Sequence, residues 1–167
     1  MLVQLLVGLA ISAVCIVVHA FVTVGAVKIA RAAVTLNASY RALHLAGVMT
    51  ATAFVLMLAH MLEIFVWSVG YVLTKVAPEG ASLVYFAFVN YTTLGYGDVV
   101  PRPEWRLLGP MTAMNGILMF GWSTALIFEV LLKTIDRQQS PPPQSAVCGL
   151  IDHSVAASGS PSNSSGR

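Results

Sequence analysis

The sequence predicts an all-α membrane protein with three transmembrane helices and a short re-entrant helix and loop between the second and third. Three observations predict it. First, 57% of the 167 residues are hydrophobic and only 10% are charged, where a soluble domain carries about 25% charged residues. Second, no charged residue occurs in 1–27, 42–62 or 107–128. Third, an apolar run too short to cross a bilayer lies between the last two of these and ends in Gly-x-Gly. The net charge of +2 is too small for a nucleic-acid surface. Cys15 and Cys148 lie far apart, so neither a disulfide framework nor a zinc spacing is visible.

A bilayer core about 30 Å thick needs roughly 20 apolar residues in a helix. Residues 1–27 supply the first span, with His19 inside it. A cleaved signal peptide begins with positive charge and has a shorter apolar run. Here no positive charge precedes Lys28, so a retained helix is expected. Residues 28–44 form a basic linker with Lys28, Arg31 and Arg41 and no acid. Basic loops stay in the cytoplasm, which places the N-terminus outside. The second span, 45–74, is interrupted only by His60 and Glu63. The third span, 106–133, returns to the cytoplasm, where Lys133 and Arg137 follow. Residues 134–167 are rich in Ser, Pro and Gly, and Pro141, Pro142 and Pro143 stop any continuing helix. A disordered cytoplasmic tail is expected.

Residues 81–92 are apolar but only about half a bilayer long at about 1.5 Å per residue. Thr93, Leu94, Gly95, Tyr96, Gly97 and Asp98 follow. Glycine permits positive φ, so successive carbonyls can be turned toward one side. Non-helical backbone at membrane depth survives only inside protein or beside a water-filled path.

At these residues the chain resembles the pore domain of potassium channels, whose filter reads Thr-Val-Gly-Tyr-Gly and whose carbonyl oxygens replace the ion's hydration shell. The resemblance covers roughly 45–133 and is nearest to small bacterial members with a two-helix pore unit. The first span is extra to that unit. The resemblance implies an outer helix over 45–74, a pore helix over 81–92, a filter over 93–97 and an inner helix over 106–133. It implies K+ sites at the carbonyls of Thr93, Leu94, Gly95 and Tyr96, with the Thr93 hydroxyl. Gly97 would turn the strand outward, and Asp98 would sit behind the mouth. One chain carries one filter segment, so a homotetramer is implied, in the lipid bilayer of a bacterial inner membrane.

Leu94 stands where Val is commoner, which the carbonyl tolerates. Tyr85 and Phe86 stand where many relatives carry tryptophan, and Val89 where some carry a buried acid. With Thr92 and Asp98 these are the filter-support candidates. Phe86 has no hydrogen bond to offer, and Tyr85 has one for Asp98. Ordinary apolar packing is the expected role of both.

On the inner helix, Gly116 and Gly121 have two readings, a gating hinge as in the family or close helix packing. Ile117, Phe120, Thr124 and Phe128 recur at helical spacing and are candidates for the cavity, with lipid contact the alternative. Glu129 either contributes to an acidic inner mouth or pairs with Lys133 one turn later; the pair is preferred. His60 and Glu63 share a face at i, i+3 and can bond each other. Intramembrane ionisable residues point to function. One reading is a proton-sensitive contact with the first span and its His19. The preferred one is a polar pair that fastens helices together. A metal reading is weaker, because His-x-x-Glu has no second copy.

Asn37, Asn90 and Asn163 open glycosylation-like triplets, which carry little weight when one falls in the pore helix. No arginine ladder crosses a span, so voltage sensing of the usual kind is not expected. No nucleophile and base are paired, so no enzyme is expected, nor any cofactor beyond K+ as the transported ion. The function expected is passive, potassium-selective conduction. The alternatives are a poorly selective cation channel and a non-conducting regulatory or assembly subunit.

Overall fold

The computed structural model describes residues 1–33, 41–78 and 80–139. Every regular element among them is helical: α1 (Leu2–Ala33), α2 (Arg41–Thr74), α3 (Leu83–Tyr91), a 3-10 turn at Pro103–Trp105, and α4 (Leu108–Gln139). Three are long and apolar enough to cross a membrane, over Leu2–Lys28, Ala42–Thr74 and Pro103–Asp136. The 9 residues of α3 reach only about 14 Å, too short to cross a bilayer alone. Met1–Ile135 forms one compact unit. Asp136–Arg167 forms the second, of which the end of α4 is described.

The helix limits differ from expectation at the ends. The basic linker expected over 28–44 is helical at both margins, since α1 runs to Ala33 and α2 begins at Arg41. Ala, Lys and Arg are strong helix formers and carry the helix past the apolar run. The inner helix likewise runs on to Gln139, six residues past its expected end. The expected disordered tail lies, from 140 onward, outside the described residues. The helix expected over 81–92 is α3, which starts later because Ser82 caps it, its hydroxyl accepting from the Tyr85 N–H at 3.4 Å. Such a cap satisfies one of the orphan donors of the first turn.

The core is assembled on one face of each helix. Along α4 the buried positions include Leu108, Thr112, Asn115, Met119, Ser123, Leu126 and Val130, a spacing near 3.6. Trp67, Tyr71 and Tyr91 are fully buried, and Phe86 packs on Tyr71 with ring centroids 5.1 Å apart. The first helix is part of this core. A Cβ on Gly70 of α2 would come within 2.5 Å of Ile11, and one on Gly8 of α1 would strike Met111 of α4. Small residues permit this close approach where lipid tails leave no hydrophobic drive between helices. Tyr71 and Thr112 add a hydroxyl contact of 2.6 Å between α2 and α4.

Candidate functional site: the loop after α3 and a buried polar ring

The segment 93–97 takes its shape from the end of α3. Thr92 closes that helix, its N–H donating to the Phe88 carbonyl at 3.0 Å and its hydroxyl to the same oxygen at 2.7 Å. The chain then folds back on Val89, whose carbonyl accepts from Leu94 N–H at 2.9 Å and Gly95 N–H at 3.4 Å. Thr93, Gly95 and Gly97 have φ of 62°, 58° and 80°, while Leu94 and Tyr96 are not in the left-handed region. Handedness thus alternates through the five residues. A positive φ at a β-branched residue is a true outlier, costing on the order of 1–3 kcal/mol, and such strain gathers at functional sites. The sequence reading assigned that freedom to the glycines and missed Thr93. Residues 93–98 are exposed on the single chain. Among the described residues no hydrogen bond ends on the carbonyl oxygens of Thr93, Leu94, Gly95 or Tyr96.

The support candidates divide. Phe86 and Val89 are buried, as apolar packing requires. Tyr85 departs from that expectation: it is 40% exposed, and the Asp98 carboxylate, as an acceptor for its hydroxyl, holds the phenol above its ordinary pKa. Arg102 N–H donates to the Val76 carbonyl at 2.7 Å, tying the loop's far end to the end of α2.

On α4, Ile117, Thr124 and Phe128 lie on the exposed face, opposite the core. Phe120 is exposed with them, at 41%. Its ring lies 4.6 Å from His60 and 5.6 Å from Tyr91, by centroids. It helps line a groove of about 330 Å³ between α2, α3 and α4, with His60, Thr92, Ser123 and Thr124. Gly116 sits where a Cβ would strike the Tyr91 carbonyl oxygen, while Gly121 has open space beside it. Helix α4 is continuous through both. Glu129 and Lys133 form an ion pair, each about half exposed.

A buried polar cluster is centred on Glu63, which is fully buried with His19. His19 Nδ1 stands 2.7 Å from Glu63 Oε1. The other carboxylate oxygen, Oε2, accepts from the Tyr91 hydroxyl. His60 is at 3.5 Å from Oε2 and makes its closer contact with the Tyr91 hydroxyl, 3.0 Å from Nδ1. The expected direct His60–Glu63 bond is therefore secondary, because α3 inserts Tyr91 between them. Ser123 Oγ lies 3.0 Å from His60 Nε2 and 3.4 Å from His19 Nε2. Four helices meet here. Tyr91 and Ser123 were not singled out in the sequence. The one available signal was that Tyr91 ends the short helix, directly before Thr92.

His19, His60 and Glu63 each present one ligand-type atom, all within 4.8 Å of one another. Every one of those atoms is engaged by a protein hydrogen-bonding partner. The arrangement is a hydrogen-bond ring before it is a metal cage.

A family model described as "Ion channel" matches residues 43–133, from the start of α2 through most of α4. No curated protein and no solved structure matches the chain. The matched stretch is more than half the chain and contains the loop with alternating handedness, so this protein belongs to the ion channel family.

Proposed function

We propose that four copies of the chain surround a potassium-selective pore that conducts passively. The observation that carries this reading is the backbone of 93–97. In a β-strand, successive carbonyls point to opposite sides. Alternating left- and right-handed residues instead turns them toward one side, and among the described residues no hydrogen bond ends on the four carbonyls. Stacked rings of such oxygens replace the hydration shell of K+. K+ is the transported substrate, held at Thr93, Leu94, Gly95 and Tyr96, and no resident cofactor or enzymatic step is part of the reading.

Exposure supports the tetramer. Leu94 and Tyr96 are 58% and 67% exposed, and Ile117 and Phe128 about 60%. A backbone without partners at membrane depth has to be enclosed by protein. Four copies enclose it, with the Ile117, Thr124 and Phe128 face toward the cavity. By the distribution of Lys and Arg, the N-terminus lies outside, the mouth at Asp98 also outside, and Lys133 in the cytoplasm.

The test is K+ against Na+ flux in reconstituted liposomes, for wild type and Gly97→Ala. Gly97 has φ of 80°, which an added Cβ strains. Selective K+ flux lost in the variant is the expected result. Equal K+ and Na+ flux in wild type would make it a poorly selective channel, and no flux a non-conducting subunit. Unchanged selectivity in Gly97→Ala would remove the filter assignment.

A further inference from the structure

The contacts around Glu63 close into a cycle. It runs from Glu63 Oε1 to His19 Nδ1, from His19 Nε2 to Ser123 Oγ, from Ser123 Oγ to His60 Nε2, from His60 Nδ1 to the Tyr91 hydroxyl, and from that hydroxyl to Glu63 Oε2. Each link needs one hydrogen, so the five links need five. A carboxylate supplies none, and a neutral imidazole, a phenol and a serine hydroxyl supply one each. With Glu63 ionised and both histidines neutral, the cycle holds four hydrogens for its five links.

We propose that this ring is a proton-binding site that takes up one further proton to close, and that its occupancy fastens α4 to α1. The added proton completes the fifth link on any of three groups. As a His19 imidazolium it donates to Glu63 and to Ser123. As a His60 imidazolium it donates to Ser123 and to Tyr91. As a Glu63 carboxylic acid it donates to His19 Nδ1, and every donor then points the same way around the cycle. The first and third forms differ by one hop across 2.7 Å. All three leave the ring without net charge. The four-hydrogen form leaves a link empty and a net negative charge in the membrane interior, where burying charge is costly.

Among the described residues, the groups facing the ring supply no other compensating charge. From α1 there is Cys15 besides His19, its Sγ 3.9 Å from the Glu63 backbone carbonyl. From α2 there are His60 and Glu63 themselves, and from α3 the Tyr91 phenol. From α4 come Ser123, Trp122 and Phe120, none of which titrates. The longest link, 3.4 Å between His19 and Ser123, is also the ring's direct tie between α1 and α4. It is the link that empties when the proton leaves.

Two variants remove the need for the extra proton by different routes. Glu63→Gln replaces the carboxylate with an amide of the same shape that carries its own hydrogen, so the ring is filled at every pH. Ser123→Ala removes two links and one hydrogen, leaving three links and three hydrogens, so no extra proton is called for. The decisive measurement uses full-length protein in phosphatidylcholine–phosphatidylglycerol bilayers, labelled with 15N at histidine and 13C at the Glu carboxyl, and followed by solid-state NMR from pH 4 to 9. In wild type, His19, His60 and Glu63 signals are expected to move together at one midpoint with one proton released per chain, as coupled sites do. In Ser123→Ala the midpoint falls, and in Glu63→Gln the two histidines stop responding. Separate, independent midpoints in wild type, or a Ser123→Ala midpoint equal to or above that of wild type, would overturn the proposal, whether or not either variant folds well.

A second arm rests on the channel reading. K+ flux that varies with pH in wild type should become flat in Glu63→Gln. Absence of flux in every form would count against conduction and leave the NMR result standing as the measure of the ring.

Discussion

Gly116 of α4 lies against the carbonyl oxygen of Tyr91, so close that a Cβ at 116 would collide with it. The opposing atom is backbone at the end of α3, with Thr92 and the loop behind it, and it has no rotamer through which to yield. Between the two readings of this glycine, the geometry favours close packing. Gly121, with nothing within 4 Å, is the position at which α4 has room to change.

Gly116→Ala should therefore destabilise the protein by about 1–3 kcal/mol, the usual cost of overpacking. Gly121→Ala should leave stability unchanged or raise it by up to about 1 kcal/mol, through helix propensity. Thermal unfolding of the two variants in the same detergent checks this. Equal losses would mean that the Tyr91 contact does not restrict Gly116.

The hydroxyl contact between Tyr71 and Thr112 ties α2 to α4 at 2.6 Å. Thr112 also donates to the Leu108 carbonyl of its own helix at 2.8 Å, so in that pair Tyr71 is the donor to Thr112. Tyr71→Phe keeps the ring packing on Phe86 and removes one hydrogen bond. The expected loss is about 0.5–1.5 kcal/mol, read as a lower unfolding midpoint. A loss of several kcal/mol would show that the hydroxyl has partners beyond Thr112.

Glu129 and Lys133 pair one turn apart with both side chains about half exposed. Pairs of this kind contribute about 0–1 kcal/mol and weaken with salt. Lys133→Ala should shift the unfolding midpoint by little, and 1 M salt should erase the difference. A large, salt-independent loss would mean that Glu129 has a structural role the pair does not explain.

The spans were legible because each depends on a long run without charge, which composition alone displays. The irregular loop was legible because Gly95 and Gly97 flank Tyr96 at the end of a helix too short to cross. Thr93 was not, because its positive φ is imposed by the hydrogen bonds that draw Leu94 and Gly95 back to the Val89 carbonyl, and propensity opposes it. His60 and Glu63 stood out as ionisable residues in an apolar run, and His19 with them. What hid the ring was that Tyr91 and Ser123 are uncharged and ordinary in a membrane helix. Only the packing of α3 and α4 against α1 and α2 makes them links. Phe120 shares the exposed face with Ile117, Thr124 and Phe128, but its ring contact with His60 depends on how α4 packs against α2, which helical spacing does not give.

The contact between Tyr85 and Asp98 predicts a pH effect confined to the loop. The hydrogen bond from the phenol to the carboxylate favours the neutral phenol, so its pKa lies above the ordinary 10.0. A group whose folded pKa is raised contributes its stabilisation fully below the unfolded value and loses it as pH rises through the folded value. The contact is thus intact at neutral pH and fails in alkali, above pH 10. Asp98→Asn removes the charge, and the Tyr85 titration, followed by tyrosinate absorbance against Tyr85→Phe, should move down toward the ordinary value. An unmoved titration would mean that Asp98 does not hold the phenol. The same variant leaves the Glu63 ring intact, because Asp98 is not among its members, so any change in ion flux would belong to the outer end of the loop alone.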